Sequence, residues 1–176
     1  MDELDLNLIS NKIRTIPDYP KKGVMFRDIT TLLKDGRAFS MCIEEMAKWA
    51  KGKDAKYIVG IEARGFIIGA ALAVKLGIGF VPIRKKGKLP YKTVSKRYQL
   101  EYGEDEIEMH KDAIERGSGV IIIDDLLATG GTARAVTDLV ESVGGKILGI
   151  AFLIELKDLK GREKLKGYEI NSLLSY

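Results

Sequence analysis

The sequence is poor in the side chains from which many enzyme sites are built. One cysteine, Cys42, leaves no intramolecular disulfide and no cysteine-based zinc site; one histidine, His110, leaves no histidine metal cluster and nearly excludes histidine triads. Cys42 shares a helical pattern with Ile43, Met46 and Trp49, so it reads as a small core residue without a role. No run reaches the roughly 18 to 20 uncharged apolar residues of a membrane helix. The acidic start Met1-Asp2-Glu3-Leu4-Asp5 reverses the basic head of a signal peptide, so a cytoplasmic protein with no membrane partner is expected. Neither Gly-x-x-x-x-Gly-Lys-Ser/Thr nor Gly-x-Gly-x-x-Gly occurs, which removes the main support for nucleoside-triphosphate and dinucleotide sites.

What is present suits one domain over residues 1–176: 45% apolar content is enough for a continuous core. The net charge is +4, but Arg84, Lys85, Lys86, Lys88, Lys92, Lys96 and Arg97 crowd a short segment that contains no acid. Without those seven cations the chain carries 22 bases and 25 acids, a net charge of −3 that would repel a long polyanion. The patch therefore points to a compact anionic ligand and to no nucleic acid.

Leu4, Leu6, Leu8, Ile9 and Ile13 suit a short amphipathic helix that Pro17-Asp18-Tyr19-Pro20 ends. A loop through Lys21-Lys22-Gly23 leads to Val24–Asp28, and a helix is expected from about Gly36 to Ala50. Strands then alternate with helices: Tyr57–Ile61, helix Gly65–Leu76, Gly79–Ile83, Val120–Ile123, helix Thr132–Val143, Ile147–Glu155 and a short last strand at Leu173-Leu174. Such continuous apolar runs fit an α/β fold, a mainly parallel twisted sheet with helices on both sides. The stretch Arg84–His110 looks too polar for the core. Its segments Leu89–Val94 and Arg97–Tyr102 are expected to pair as a projecting hairpin, followed by a helical start at Met109–Glu115.

The most informative segment is Val120-Ile121-Ile122-Ile123-Asp124-Asp125-Leu126-Leu127-Ala128-Thr129-Gly130-Gly131-Thr132. A buried strand ends in two carboxylates, and a loop of small residues then feeds a helix at the carboxyl edge of the sheet, where open α/β folds bind ligands. Gly130 and Gly131 let N–H groups turn inward, Thr129 and Thr132 add hydroxyls, and the helix N-terminus adds partial positive charge, a set that suits a phosphate monoester. A lone Asp-x-x-x-Thr-Gly would be an ordinary capped helix with an incidental acidic pair.

The full segment resembles the phosphoribosyl-diphosphate signature of the type I phosphoribosyltransferases. Four further stretches are similar to the adenine-specific branch of that family: Pro17-Asp18-Tyr19-Pro20 with Gly23–Ile29, Ala63-Arg64-Gly65-Phe66, Leu100-Glu101-Tyr102-Gly103, and Glu155–Gly161. The resemblance implies the type I fold, with a small base-binding hood over residues 1–35 and a mobile hairpin lid over 84–110. It implies transfer of phosphoribosyl from 5-phospho-α-D-ribose 1-diphosphate to adenine, giving AMP and pyrophosphate, as a step of purine salvage by a homodimer.

Carried over by residue, it implies that Asp124 and Asp125 hold the ribose hydroxyls while Ala128, Thr129, Gly130, Gly131 and Thr132 cradle the 5′-phosphate. Ala63, Arg64 and Gly65 would form the pyrophosphate loop, with a cis peptide at Glu62–Ala63, and Arg84, Lys85 and Lys88 would be further diphosphate contacts. Read alone, the first of these is equally a helix start with an exposed arginine. Glu101 would exchange a proton with N7 of the base, Tyr102 would be a lid contact, and Phe26 and Leu126 would sandwich the purine, with Val24 and Arg27 reading its edge. Mg²⁺ would arrive chelated by the substrate, with no direct protein ligand.

Two other functions fit less well. A 6-oxopurine enzyme could use Lys157 to donate to the oxo group. A regulator that senses phosphoribosyl diphosphate without turnover would need neither Glu101 nor the acidic pair.

Overall fold

The computed structural model describes residues 3–99 and 103–176. The chain forms two compact units, Met1–Met46 and Ala47–Tyr176.

In the first unit, α1 (Glu3–Asn11) is followed by β1 (Arg14–Pro17), β2 (Met25–Asp28), α2 (Thr30–Lys34) and most of α3 (Gly36–Ala50). The sequence reading anticipated α1 and α3 but neither β1 nor the short α2. β1 and β2 pair antiparallel with Arg14 opposite Asp28, and the Arg14 guanidinium bonds that carboxylate. This partner, with the Thr30 N–H behind it, brings the Asp28 pKa down to about 2. The turn between the strands contains the cis Tyr19–Pro20 bond and is tied by Gly23 N–H donating to Asp18 Oδ1 at 2.7 Å. Cys42 is buried, which pushes its thiol up to about 12 and makes it inert as a nucleophile.

The second unit is a seven-stranded sheet. Its strands are β3 (Tyr57–Ile61), β4 (Gly79–Lys85), β5 (Thr93–Gln99), β6 (Glu104–His110), β7 (Gly119–Leu127), β8 (Lys146–Glu155) and β9 (Ile170–Ser175), in the order β5-β6-β4-β3-β7-β8-β9. The five strands β4-β3-β7-β8-β9 are parallel, and β6 and β5 join antiparallel at one edge. Ile121, Ile122 and Ile123 have no exposed surface because both faces of β7 are covered. α4 (Arg64–Leu76) packs on β3 and β7, where Gly60 and Gly69 make room for the Phe80 ring. α5 (Gly131–Ser142) lays Ala133, Ala135, Val136, Leu139 and Val140 against Val59, Ile61, Val120, Ile122 and Phe152. The expected α/β architecture is the one observed.

The hairpin differs from expectation. Its strands are Thr93–Gln99 and Glu104–His110, not Leu89–Val94 and Arg97–Tyr102, and Gly103, at φ +95, lies in the connection. Nor is the segment too polar for the core: β6 enters the sheet beside β4 and buries Ile107 and Met109. The acids alternating with those apolar residues concealed a strand that carries Ile107 and Met109 on one inward face and buries Glu108 on the other. Met109 and His110 end this strand, so the helical start expected at Met109–Glu115 is absent; a turn follows, with Ala113 N–H donating to the His110 carbonyl.

Candidate active site

β3 connects through α4 to β4 on one side, whereas β7 connects through α5 to β8 on the other. The carboxyl ends of β3 and β7 therefore lie side by side where the strand order reverses, a position that opens a crevice in α/β sheets.

β7 delivers Asp124, partly buried, and Asp125, buried, to this crevice. Gly65, in the first turn of α4, permits the approach: a side chain there would come within 2.9 Å of Asp124 Oδ1 and 3.0 Å of the Ile123 carbonyl oxygen. Burial, then repulsion from Asp125, hold the Asp124 carboxyl well above the usual carboxylate range, while the Asp125 N–H donated to Asp124 Oδ1 at 2.9 Å and the charge of Arg64 act in the opposite sense. Arg64 Nε pairs with Asp125 Oδ2 at 2.6 Å.

The chain then turns through Ala128, Thr129 and Gly130 into α5. Gly130 adopts φ +76, ψ 2 as the N-cap and offers no side-chain cap, so first-turn N–H groups of α5 remain for a ligand. The turn lines a concavity of about 70 Å³ together with Asp124, Leu126 and Leu127. Backbone packs closely against this turn: a side chain on Gly130 would meet the Gly161 carbonyl oxygen at 2.4 Å, and one on Gly161 would meet the Ala128 carbonyl oxygen at 2.3 Å.

Across the crevice the Glu62–Ala63 bond is cis, as expected, and leads into Arg64. Glu62 Oε2 accepts from the Lys85 N–H at 2.9 Å and from Arg84 Nε at 3.2 Å. Burial would raise the Glu62 carboxyl, but these two donors take it below its ordinary value. Lys85 Nζ pairs with Asp105 at 3.1 Å, Lys86 Nζ with Glu106 at 2.8 Å, and Arg84 also donates to the Lys88 carbonyl at 3.2 Å. The carboxyl ends of β3, β4 and β7 thus carry two carboxyls, a turn with free helix N–H groups and a loop rich in cations, donors and charges suited to an anionic ligand.

A family model for the phosphoribosyl transferase domain matches residues 30–173. The adenine phosphoribosyltransferase of Halothermothrix orenii is 58% identical over 162 residues, 92% of this chain and 95% of its own. Among solved structures, the adenine phosphoribosyltransferase of Thermoanaerobacter pseudethanolicus superposes with a TM-score of 0.94 at 55% identity, covering 97% of this chain and 99% of that one. That of Saccharomyces cerevisiae, complexed with an imino-altritol bisphosphate and adenine, superposes with a TM-score of 0.92 at 38% identity, covering 98% and 99%. The chain belongs to the adenine phosphoribosyltransferase family.

Of the residues singled out for adenine phosphoribosyltransferase chemistry, Asp124, Asp125, Ala63, Arg64, Gly65, Arg84, Lys85, Lys88 and the turn Ala128–Thr132 all lie in the second unit at or near the carboxyl ends of β3, β4 and β7. Val24, Phe26 and Arg27 lie in the first unit at β2, where the Phe26 ring meets Tyr19 edge-on at 5.1 Å, and Leu126 lies on β7 in the second. Glu101 and Tyr102 fall outside the described residues. Lys157 is exposed in a 3₁₀ turn after β8.

Sequence reasoning missed Glu62 and Glu108 as partners of the basic loop, and two residues beside the phosphate turn. Tyr98 on β5 hydrogen-bonds with the Thr132 side chain; burial raises its phenol and this bond partly offsets the rise. Lys164 holds its ammonium 3.9 Å from where a side chain on Gly131 would begin. Glu108, Tyr98 and Lys164 carry no local signal, because each reaches the site only through tertiary pairing; Glu62 adjoins Arg64 in sequence, but its pairing with Arg84 and Lys85 is tertiary.

Proposed function

We propose that this crevice carries out the family reaction: N9 of adenine attacks C1′ of 5-phospho-α-D-ribose 1-diphosphate, the C1′–oxygen bond to the diphosphate breaks, and AMP and pyrophosphate leave. The observation that carries the reading is the juxtaposition at one sheet edge of the Asp124–Asp125 pair, the uncapped glycine turn and the Arg64 loop. The turn Ala128–Thr132 takes the 5′-phosphate on helix N–H groups. Arg64, Arg84, Lys85 and Lys88 take the diphosphate. Asp124 and Asp125 face the ribose, where positive charge develops at C1′ only as the leaving bond stretches, so their attraction acts on the transition state more than on the substrate.

Glu101 exchanges the proton at N7 of the base, and Tyr102 is a further substrate contact. The candidates for reading adenine are Val24, Phe26 and Arg27 on the β1–β2 hairpin and Leu126 on β7. Asp124 is raised first by burial and then by the charge of Asp125, while Arg64 pairs with Asp125, so a further cation beside Asp124 would favour its ionised form, and a magnesium ion carried by the diphosphate would supply one. When bound, it supplies charge neutralisation to the leaving group. The enzyme is further expected to act in the cytoplasm as a homodimer. Among the described residues, no helix is long and apolar enough to cross a membrane.

Steady-state turnover with adenine, hypoxanthine and guanine tests the reading. Adenine should be consumed with stoichiometric AMP; turnover of hypoxanthine without adenine would overturn it.

A further inference from the structure

Glu108 is a carboxylate in an unusual place. It sits on β6 opposite Arg84 of β4 on one side and Ser95 of β5 on the other, between two stretches of the basic segment, yet it is only 4% exposed. Its Oε1 accepts from two consecutive main-chain donors, Lys88 N–H and Leu89 N–H, each at 3.0 Å. A buried carboxylate is costly unless hydrogen-bonded, and here the bonds go to the backbone of the basic loop and not to a neighbouring cation.

The cations of that loop are unevenly engaged. Arg84, Lys85 and Lys86 each pair with a carboxylate, Glu62, Asp105 and Glu106 respectively. Lys88 is exposed, and among the described residues no carboxylate pairs with its ammonium, although its own N–H is held by Glu108. Gly87 takes φ +81 just before it, and the Lys88 N–H also lies 3.2 Å from the Lys85 carbonyl, so the loop is folded back tightly at this point. The Lys88 backbone is thereby fixed while its ammonium, which acts on the Glu62 carboxylate through its charge, stays exposed and outside any ion pair among the described residues, the arrangement a pre-set anion contact requires.

We propose that Glu108 is a positioning residue for diphosphate recognition: by gripping the Lys88 and Leu89 N–H groups it presents the Lys88 ammonium to the diphosphate of the substrate. The inference rests on the proposed reading of Lys88 as a diphosphate contact. Glu108 touches no reacting atom; it acts through Lys88.

A double-mutant cycle with Lys88→Ala, Glu108→Ala, Glu108→Gln and the combined variants tests this, reading kcat and KM for phosphoribosyl diphosphate, for adenine and, in the reverse direction, for pyrophosphate. Glu108→Ala should raise KM for phosphoribosyl diphosphate and for pyrophosphate about tenfold, leave KM for adenine unchanged, and add nothing once Lys88 is alanine. Glu108→Gln keeps an oxygen acceptor for both N–H groups and should recover most of the affinity; should the alanine variant not fold, the glutamine variant carries the cycle, with a KM rise of about two- to threefold that vanishes in the Lys88→Ala background. Additive effects of the two sites, or a uniform loss that extends to adenine, would overturn the positioning role. An unchanged KM for phosphoribosyl diphosphate in Lys88→Ala alone would instead refute the reading of Lys88 on which it rests.

Discussion

Residues 124–132 and the loop 84–89 both lie at the carboxyl ends of strands of one sheet, but the first is shaped by backbone, whereas the second is held by side chains of other elements. The phosphate turn owes its form to the end of a buried strand, a glycine at φ +76 and the carbonyl of Gly161 pressed against it. The basic loop owes its form to carboxylates on other elements, Glu62 after β3 and Glu108 on β6. Backbone geometry of the first kind tolerates changes of charge but not of volume; a cradle of the second kind tolerates changes of volume but responds to charge and pH.

The largest expected effect tests the backbone side. Gly130→Val places a branched side chain in a left-handed conformation against the Gly161 carbonyl, and binding of phosphoribosyl diphosphate, followed by calorimetric titration, should weaken by at least ~100-fold. Wild-type affinity in that variant would end the distinction. A smaller effect belongs to the cradle: Glu62→Gln keeps an acceptor for the Lys85 N–H but loses the ion pair with Arg84, so KM for phosphoribosyl diphosphate should rise roughly three- to tenfold with the melting temperature nearly unchanged.

The smallest effect is one of pH on the lid. Bonds from Lys86, Ser95 and Arg97 bring Glu106 from an ordinary value of 4.5 to about 2. Because the folded value is depressed, the stabilisation is complete above about 4.5 and is lost as pH falls through about 2. Hydrogen exchange of the β5 and β6 amides should therefore separate wild type from Glu106→Gln at neutral pH and converge at the acid end. The Lys86 and Arg97 side chains are solvent-exposed, so added salt should shrink the gap; a gap that widens on acidification would contradict this assignment.

The same division explains what was legible in the sequence. β3, α3, α4, α5 and β8 were readable because each is a single periodic or apolar run with a glycine or a turn at its end, as Gly77 at φ 68 ends α4. Asp124, Asp125 and the following turn were readable for the same reason, since strand, acids, glycines and helix follow one another without interruption. β6 was not, because the burial of Glu108 depends on N–H groups from a loop elsewhere in the chain, and a carboxylate in a strand pattern signals solvent until its partners are known. β1 was hidden in a similar way: Arg14 and Thr15 look like the end of a helix until Asp28 and Arg27 are set opposite them.

The contact of Gly161 with Ala128 and Gly130 also bears on how the protein comes into being. The backbone that braces the glycine turn is translated well after the turn itself, so a nascent chain released before the ribosome has passed Gly161 should carry the whole recognisable motif with the turn still unbraced.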